Sequence, residues 1–239
     1  MISAADILAD VIAGDTLTSS MPQRLVVACG EALPVTGVGM VLMTDSGPAG
    51  TVAATDGPAE TMEELQFTLG EGPCVDSSRT GRPVLQADLA LSGPARWPGF
   101  TAGALDAGIR AIFAFPLRVG AIRLGVLDLY RDLPGPLSVD ELRQALSYAD
   151  AATSILLHLQ AQDTPSDGEA GLIRVIDDRA EVHQATGMIA VHADVSLAHA
   201  LVVLRARAFA SERPILDVAQ DVLAGVVSFR SDAEGRIEG

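Results

Sequence analysis

Four arginines toward the end of the chain, Arg179, Arg205, Arg207 and Arg213, are the residues best suited to grip an anion. A guanidinium group forks hydrogen bonds onto phosphate and stacks on flat rings, so a set of them in one small region suits an anionic partner. The plainer reading is solvated helix faces, or ion pairs to Asp177, Asp178 and Asp217. Ala185 and Gly187 lie among them. Small residues there let neighbouring helices pack closely and, as a second use, let a nucleic-acid backbone approach. His183, His192 and His199 lack paired ligands and read as surface or core-edge residues. Cys74 follows Gly72-Pro73 at the start of a short helix. A helix N-terminus lowers a thiol pKa, which would suit a redox sensor; the plainer reading is a small buried hydrophobe. Trp97, in RWPGF, either anchors a loop over a sheet or covers a pocket for a flat ligand. Asp76 and Arg82 fit a cavity lining or ordinary turn and surface roles. Glu63, Glu64 and Glu71 form an acidic cluster with no catalytic partner at telling spacing, and read as a solvated edge. Nucleophile–base pairs, phosphate-cradling glycine loops, C-x-x-C and H-E-x-x-H are all missing. The chain is therefore expected to be no enzyme and to carry no metal or cofactor.

The elements that must position these residues fall into two groups. The polar stretch AQDTPSDGEAG (161–171) reads as a linker between residues 1–160 and 172–230. In the first part, residues 22–33 have helical spacing. Residues 37–45 and 49–55 read as strands joined by Ser46-Gly47-Pro48, and 65–69 as a further short strand. Residues 71–88 read as turn, short helix, turn, strand. The best hairpin is 108–131, turning at Arg118–Ala121. Consecutive hairpins favour a mainly antiparallel sheet with helices packed on it, an α+β domain. A long helix over 138–160 starts at a Ser138/Glu141 capping box. Leu142, Leu146 and Ala149 on it are expected to form a dimer seam. The second part reads as all helix: 172–192, then a helix capped by Ser196 with Leu197, Leu201, Leu204 and Ala208 on one face, then one with Pro214 in its first turn. Leu216, Ala219, Leu223 and Val226 are its expected inner stripe. Three such short helices bury a core only as a bundle.

The 239 residues are 49% hydrophobic, enough for a substantial core in one or two domains. Acids outnumber bases 31 to 16, for a net charge of −15, and every base is Arg. A broad cationic face that holds nucleic acid by charge alone is excluded. Residues 1–170 carry a net −12 and residues 171–230 only −1, so an anionic partner should meet the second part. The first residues lack the basic region of a secretory signal, and no long apolar run is free of charge. Cys29 and Cys74 are the only cysteines, too few for a disulfide framework. A cytoplasmic location is expected.

Residues 20–160 resemble a GAF domain. The resemblance rests on GEGPC (Gly70 to Cys74), TGRPVLQAD (Thr80 to Asp88) and AFPLRVGAIRLGVLDLYR (Ala114 to Arg131). It implies a small-molecule sensing or dimerising module, with Cys74 and Trp97 as candidate ligand contacts. Arg179 to Leu223 resembles an ANTAR domain, a three-helix RNA-binding module of transcription antiterminators. Arg179-Ala180, Ala185, Gly187-Met188-Ile189, Ala200, Leu204-Arg205 and Val218-Ala219 carry the match. The resemblance implies a dimer that binds paired hairpins in a nascent leader transcript, keeps a terminator from forming and lets polymerase read through. Thr186, Glu212 and Pro214 stand where the family often has Lys, Asn and a basic residue; each change weakens a surface for an anion. The alternative is a ligand-sensing or protein-interaction regulator whose ANTAR domain no longer binds RNA.

Overall fold

The computed structural model describes residues 2–14, 19–44, 47–55, 57–162, 179–211, 213–231 and 237–238. The predicted linker, apart from residues 161 and 162, lies outside them, as do 172–178 of the first C-terminal helix, Asp177 and Asp178 among them, and Glu212. The chain divides into two compact units, Met1–Phe67 with Glu71–Val175, and Ile176–Gly239 with Thr68–Gly70.

The first unit is built on a five-stranded antiparallel sheet in the order β2-β1-β5-β4-β3. The strands are β1 (Gly37–Thr44), β2 (Gly47–Ala54), β3 (Val84–Gln86), β4 (Ala111–Val119) and β5 (Ile122–Arg131). The predicted hairpin is β4–β5. Side chains alternate between the faces of each strand. On one face Met40, Leu42, Phe113, Phe115, Leu127 and Leu129 form a core with α1 (Ala4–Ala13), α2 (Met21–Ala32) and α7 (Val139–Gln162). The other face carries Gly39, Val41, Met43, Val126, Asp128 and Tyr130. Here α3 (Pro58–Leu69) and α4 (Pro73–Thr80) bring in polar side chains, followed by α5 (Leu89–Arg96) and α6 (Pro98–Asp106).

Two sequence expectations change here. Residues 65–69 belong to α3, not to a strand. Leu65, Phe67 and Leu69 alternate as in a strand, but the buried residues Ala59, Met62, Glu63, Gln66 and Phe67 recur at helical spacing. The expected dimer seam also changes. The α7 capping box forms, with Glu141 N donating to Ser138 Oγ at 3.2 Å and Ser138 N donating to the Glu141 carboxylate at 2.6 Å. Ala149, however, is buried in the core and Leu142 packs against it; only Leu146 of the three is exposed. One stripe of three-and-four spacing serves a sheet as readily as a second helix, and the sheet takes it.

The second unit holds α8 (Ala180–Ala193), α9 (Leu197–Ala210) and α10 (Ile215–Leu223). Asp194 ends α8 at φ 53°, a left-handed cap that Asp tolerates. Ser196 caps α9, accepting from His199 N at 3.2 Å. Val182, Ala185, Ile189, Ala200, Leu204, Ala208, Ile215, Val218, Ala219 and Val222 fill the interior. The α10 stripe matches its expected place in part. Pro214 is the cap, not the first turn; Ala219 faces inward as expected, but Ile215, Val218 and Val222 accompany it, while Leu216 and Leu223 are half-buried and Val226 is exposed. Leu197, expected on the inner face of α9, is exposed too. Strands β6 (Arg230–Ser231) and β7 (Ile237–Glu238) pair antiparallel. Among the described residues no single helix is long and apolar enough to cross a membrane.

Candidate functional site

Five polar side chains meet under α3 and α4 on the second face of the sheet. Strand alternation puts Asp128 and Tyr130 of β5 there together. Glu63 and Gln66, three apart on α3, share the helix face that looks down on them. Cys74 enters from the first turn of α4. Glu63, Gln66, Cys74, Asp128 and Tyr130 are each at most 3% exposed. The Tyr130 hydroxyl donates to Glu63 Oε1 at 2.7 Å. Gln66 Nε2 donates to Tyr130 Oη at 3.2 Å and to Asp128 Oδ2 at 3.4 Å, so its amide bridges the Tyr130 hydroxyl and the Asp128 carboxyl. Gln66 Oε1 accepts from Cys74 N at 2.8 Å. The Cys74 thiol lies 4.0 Å from Met43 Sδ, its hydrogen-bond acceptor. The second carboxylate oxygen of Asp128, Oδ1, is buried with no hydrogen-bond partner.

Two glycines make room for this arrangement. A Cβ on Gly39 would fall 1.7 Å from Glu63 Oε1, so the carboxylate lies directly on the β1 backbone. Gly72, at φ 135°, caps α4, and a Cβ there would meet Gln66 Oε1 at 2.6 Å.

Burial sets the electrostatics. It pushes the Asp128 carboxyl up to about 7, against the Cys74 thiol and the Gln66 amide, which favour its charged form. It raises the Cys74 thiol well above its usual range, helped by the negative charges of Asp128 and Glu63. The lowering expected from the α4 N-terminus is therefore overturned, and Cys74 is a buried, protonated thiol. Glu63 is no part of a solvated edge, and Glu71 Oε1 accepts from Phe100 N at 2.8 Å, in the first turn of α6; Glu64 alone of the three is exposed. The cluster has no local sequence signal, because its members come from three elements and the alternation of Leu65, Phe67 and Leu69 suggests a strand.

Trp97 is buried at the junction of α5 and α6. Its Nε1 donates to Asp76 Oδ2 at 3.2 Å, and the Arg96 guanidinium stacks on its ring at 4.2 Å. Asp76 also pairs with Arg79 at 2.7 Å and Arg96 at 2.9 Å. Trp97 thus pins the α5–α6 corner to α4, in keeping with its anchoring role. Arg82 is exposed.

In the second unit, Arg179 caps α8 half-buried, and Arg207 is exposed in the last turn of α9. Arg213 is exposed and pairs with Asp221 at 2.6 Å, a partner the sequence reading did not name. Arg205 is half-buried, and burial lowers its guanidinium to about 10, still protonated at neutral pH. Ala185 is buried, as a close-packing residue should be. Gly187 is half-exposed, and a Cβ there would meet nothing within 4 Å, so packing does not demand glycine. Thr186 is buried and donates its hydroxyl to Val182 O at 2.7 Å. It therefore takes no charge from the surface; position 186 faces inward.

The model of the GAF domain matches residues 18–157, more than half of the chain. The chain belongs to the GAF domain family. Solved structures agree on the fold. The GAF domain of an Acinetobacter phosphoenolpyruvate-protein phosphotransferase aligns with a TM-score of 0.52 at 11% identity, covering 68% of this chain and 95% of that one. A domain of a sensor histidine kinase protein from Sinorhizobium meliloti gives 0.50 at 19%, covering 62% and 97%. The GAF domain of the Coxiella burnetii phosphotransferase gives 0.50 at 18%, covering 66% and 93%. No curated protein matches. A GAF domain points to a ligand-sensing regulatory role, and the Glu63–Asp128 cluster lies inside its matched region.

Proposed function

We propose that the chain is a cytoplasmic, sensor-regulated RNA-binding protein that holds hairpins of nascent transcripts and promotes transcription antitermination. Residues 1–160 act as receptor rather than enzyme, 161–171 link, and 172–230 form an ANTAR-type output domain. One observation carries this reading. Of the residues of the ANTAR-like pattern, Ala185, Ile189, Ala200, Leu204, Val218 and Ala219 fill the interior and Arg179 and Arg205 are half-buried, while Arg207 and Arg213 of the same stretch are exposed. A few guanidinium groups on a nearly neutral bundle suit recognition of splayed loop bases better than charge-driven groove binding. Two hairpins call for two copies of the bundle, and α7 offers exposed Val139, Leu146 and Leu157 for pairing.

The second reading, an output domain that meets a protein instead of RNA, is favoured by Arg213. Its guanidinium already holds Asp221, and RNA would have to displace that carboxylate. Crosslinking of the intact protein to cellular RNA, followed by transcription of the recovered leaders in vitro, separates the two. Read-through that rises with the protein and is lost in Arg207→Ala supports antitermination. Recovery of no RNA above a protein-free control overturns it.

A further inference from the structure

We infer that the cluster of Glu63, Gln66, Cys74, Asp128 and Tyr130 receives the sensor's signal, and that the signal is a small cation bearing N–H groups, of the ammonium or alkylammonium class. This rests on the reading of the GAF domain as a receptor and adds the class of its ligand.

Two carboxyl groups face each other through the Tyr130 hydroxyl and the Gln66 amide, and each ionised carboxylate only accepts. When Asp128 is ionised, the five side chains themselves offer as donors the Tyr130 hydroxyl, the Gln66 amide and the Cys74 thiol. Tyr130 gives its proton to Glu63, and Asp128 Oδ1 receives nothing at all. A buried oxygen without a donor is costly, and a buried carboxylate is costlier unless a positive charge joins it. An ammonium group answers both needs: its N–H bonds reach Oδ1, and its charge lets Asp128 ionise. The raised Asp128 pKa fits a carboxyl that waits, protonated, for such a partner. Among the described residues no three His, Cys, Asp or Glu side chains are grouped to hold a metal ion. Gly39 and Gly72 keep Glu63 and Gln66 where the cation would meet them.

The test titrates methylammonium chloride into the full chain by calorimetry and by thermal melting at pH 7.5. Sodium chloride and tetramethylammonium chloride, which has no N–H, serve as controls at equal ionic strength. Saturable methylammonium binding that tetramethylammonium does not reproduce, weakened at least about tenfold in Asp128→Asn, supports the assignment. Equal responses to all three salts, no response, or the same affinity in Asp128→Asn overturns it. If Asp128→Asn does not fold, Glu63→Gln takes its place, and the comparison of salts on the unaltered chain stands by itself. Loss of cation binding in a protein that still binds paired-hairpin RNA removes this inference and leaves the proposed function standing.

Discussion

Replacing Asp128 by Asn should reshape the pH dependence of stability. The Asp128 carboxyl is raised from 3.8 to about 7 in the folded chain. A difference of about three pH units corresponds to roughly 4 kcal/mol. The folded state holds the proton more tightly than the unfolded state. The contribution is therefore fully present below about pH 4, declines as the pH rises, and is gone above about pH 7. Asn cannot ionise and removes this slope. Asp128→Asn should match the natural chain near pH 4 and exceed it by up to roughly 4 kcal/mol at pH 8, or roughly 8–16 °C in midpoint for a unit of this size. Asp6 runs the other way: hydrogen bonds from Ser3 hold its carboxyl below the usual range, so its contribution is lost as the pH falls toward and below 4. Urea titrations of both proteins at pH 4, 5, 6, 7 and 8 give the answer. Parallel curves, with the same pH slope in both, would refute the claim that Asp128 is buried and protonated.

Three further outcomes follow from the same contacts. Gly39→Ala places a methyl group on the Glu63 carboxylate and should cost about 1–3 kcal/mol in urea unfolding, with the Tyr130–Glu63 hydrogen bond lost; an unchanged midpoint counts against the site geometry. Cys29 and Cys74 are both buried, with thiols raised by desolvation. A thiol-specific disulfide reagent at pH 8 should label neither until denaturant is added, and rapid native labelling of Cys74 contradicts the buried cluster. Leu146→Glu should leave the melting curve nearly unchanged while abolishing any dimer seen by light scattering, whereas Ala149→Glu should unfold the GAF domain; a dimer that survives Leu146→Glu places the seam elsewhere.

The β4–β5 hairpin was legible because its strands are rich in Val, Ile, Leu and Phe and flank the turn at Arg118–Ala121, a local signal. The α7 and α9 caps were legible because Ser138 and Ser196 act within one turn. What escaped was whatever depends on which side of an element meets the core. Leu142 and Ala149 have the spacing of a seam, and only the sheet beneath them shows that they belong to the interior. Thr186 looks like a missing surface charge until its inward orientation is seen. The polar cluster was the hardest to foresee. Asp128 sits in an apolar run where one acid reads as an interruption, and Glu63 sits beside Glu64 where two acids read as a wet edge. Their meeting needs the fold of α3 over β5, which no single segment encodes. The shortage of donors around Asp128 could be counted only once all five side chains were in place.

The proposed function stands or falls with RNA recognition by the C-terminal bundle. Its most direct test is the dissociation constant of the intact protein for a paired-hairpin RNA, measured across a salt series with the natural chain and Arg207→Ala. The account predicts saturable binding at low salt that weakens as salt rises, with the slope of log affinity against log salt reduced by about one in Arg207→Ala. A folded sample that binds no paired-hairpin RNA at low salt, or binds it identically with and without Arg207, contradicts it.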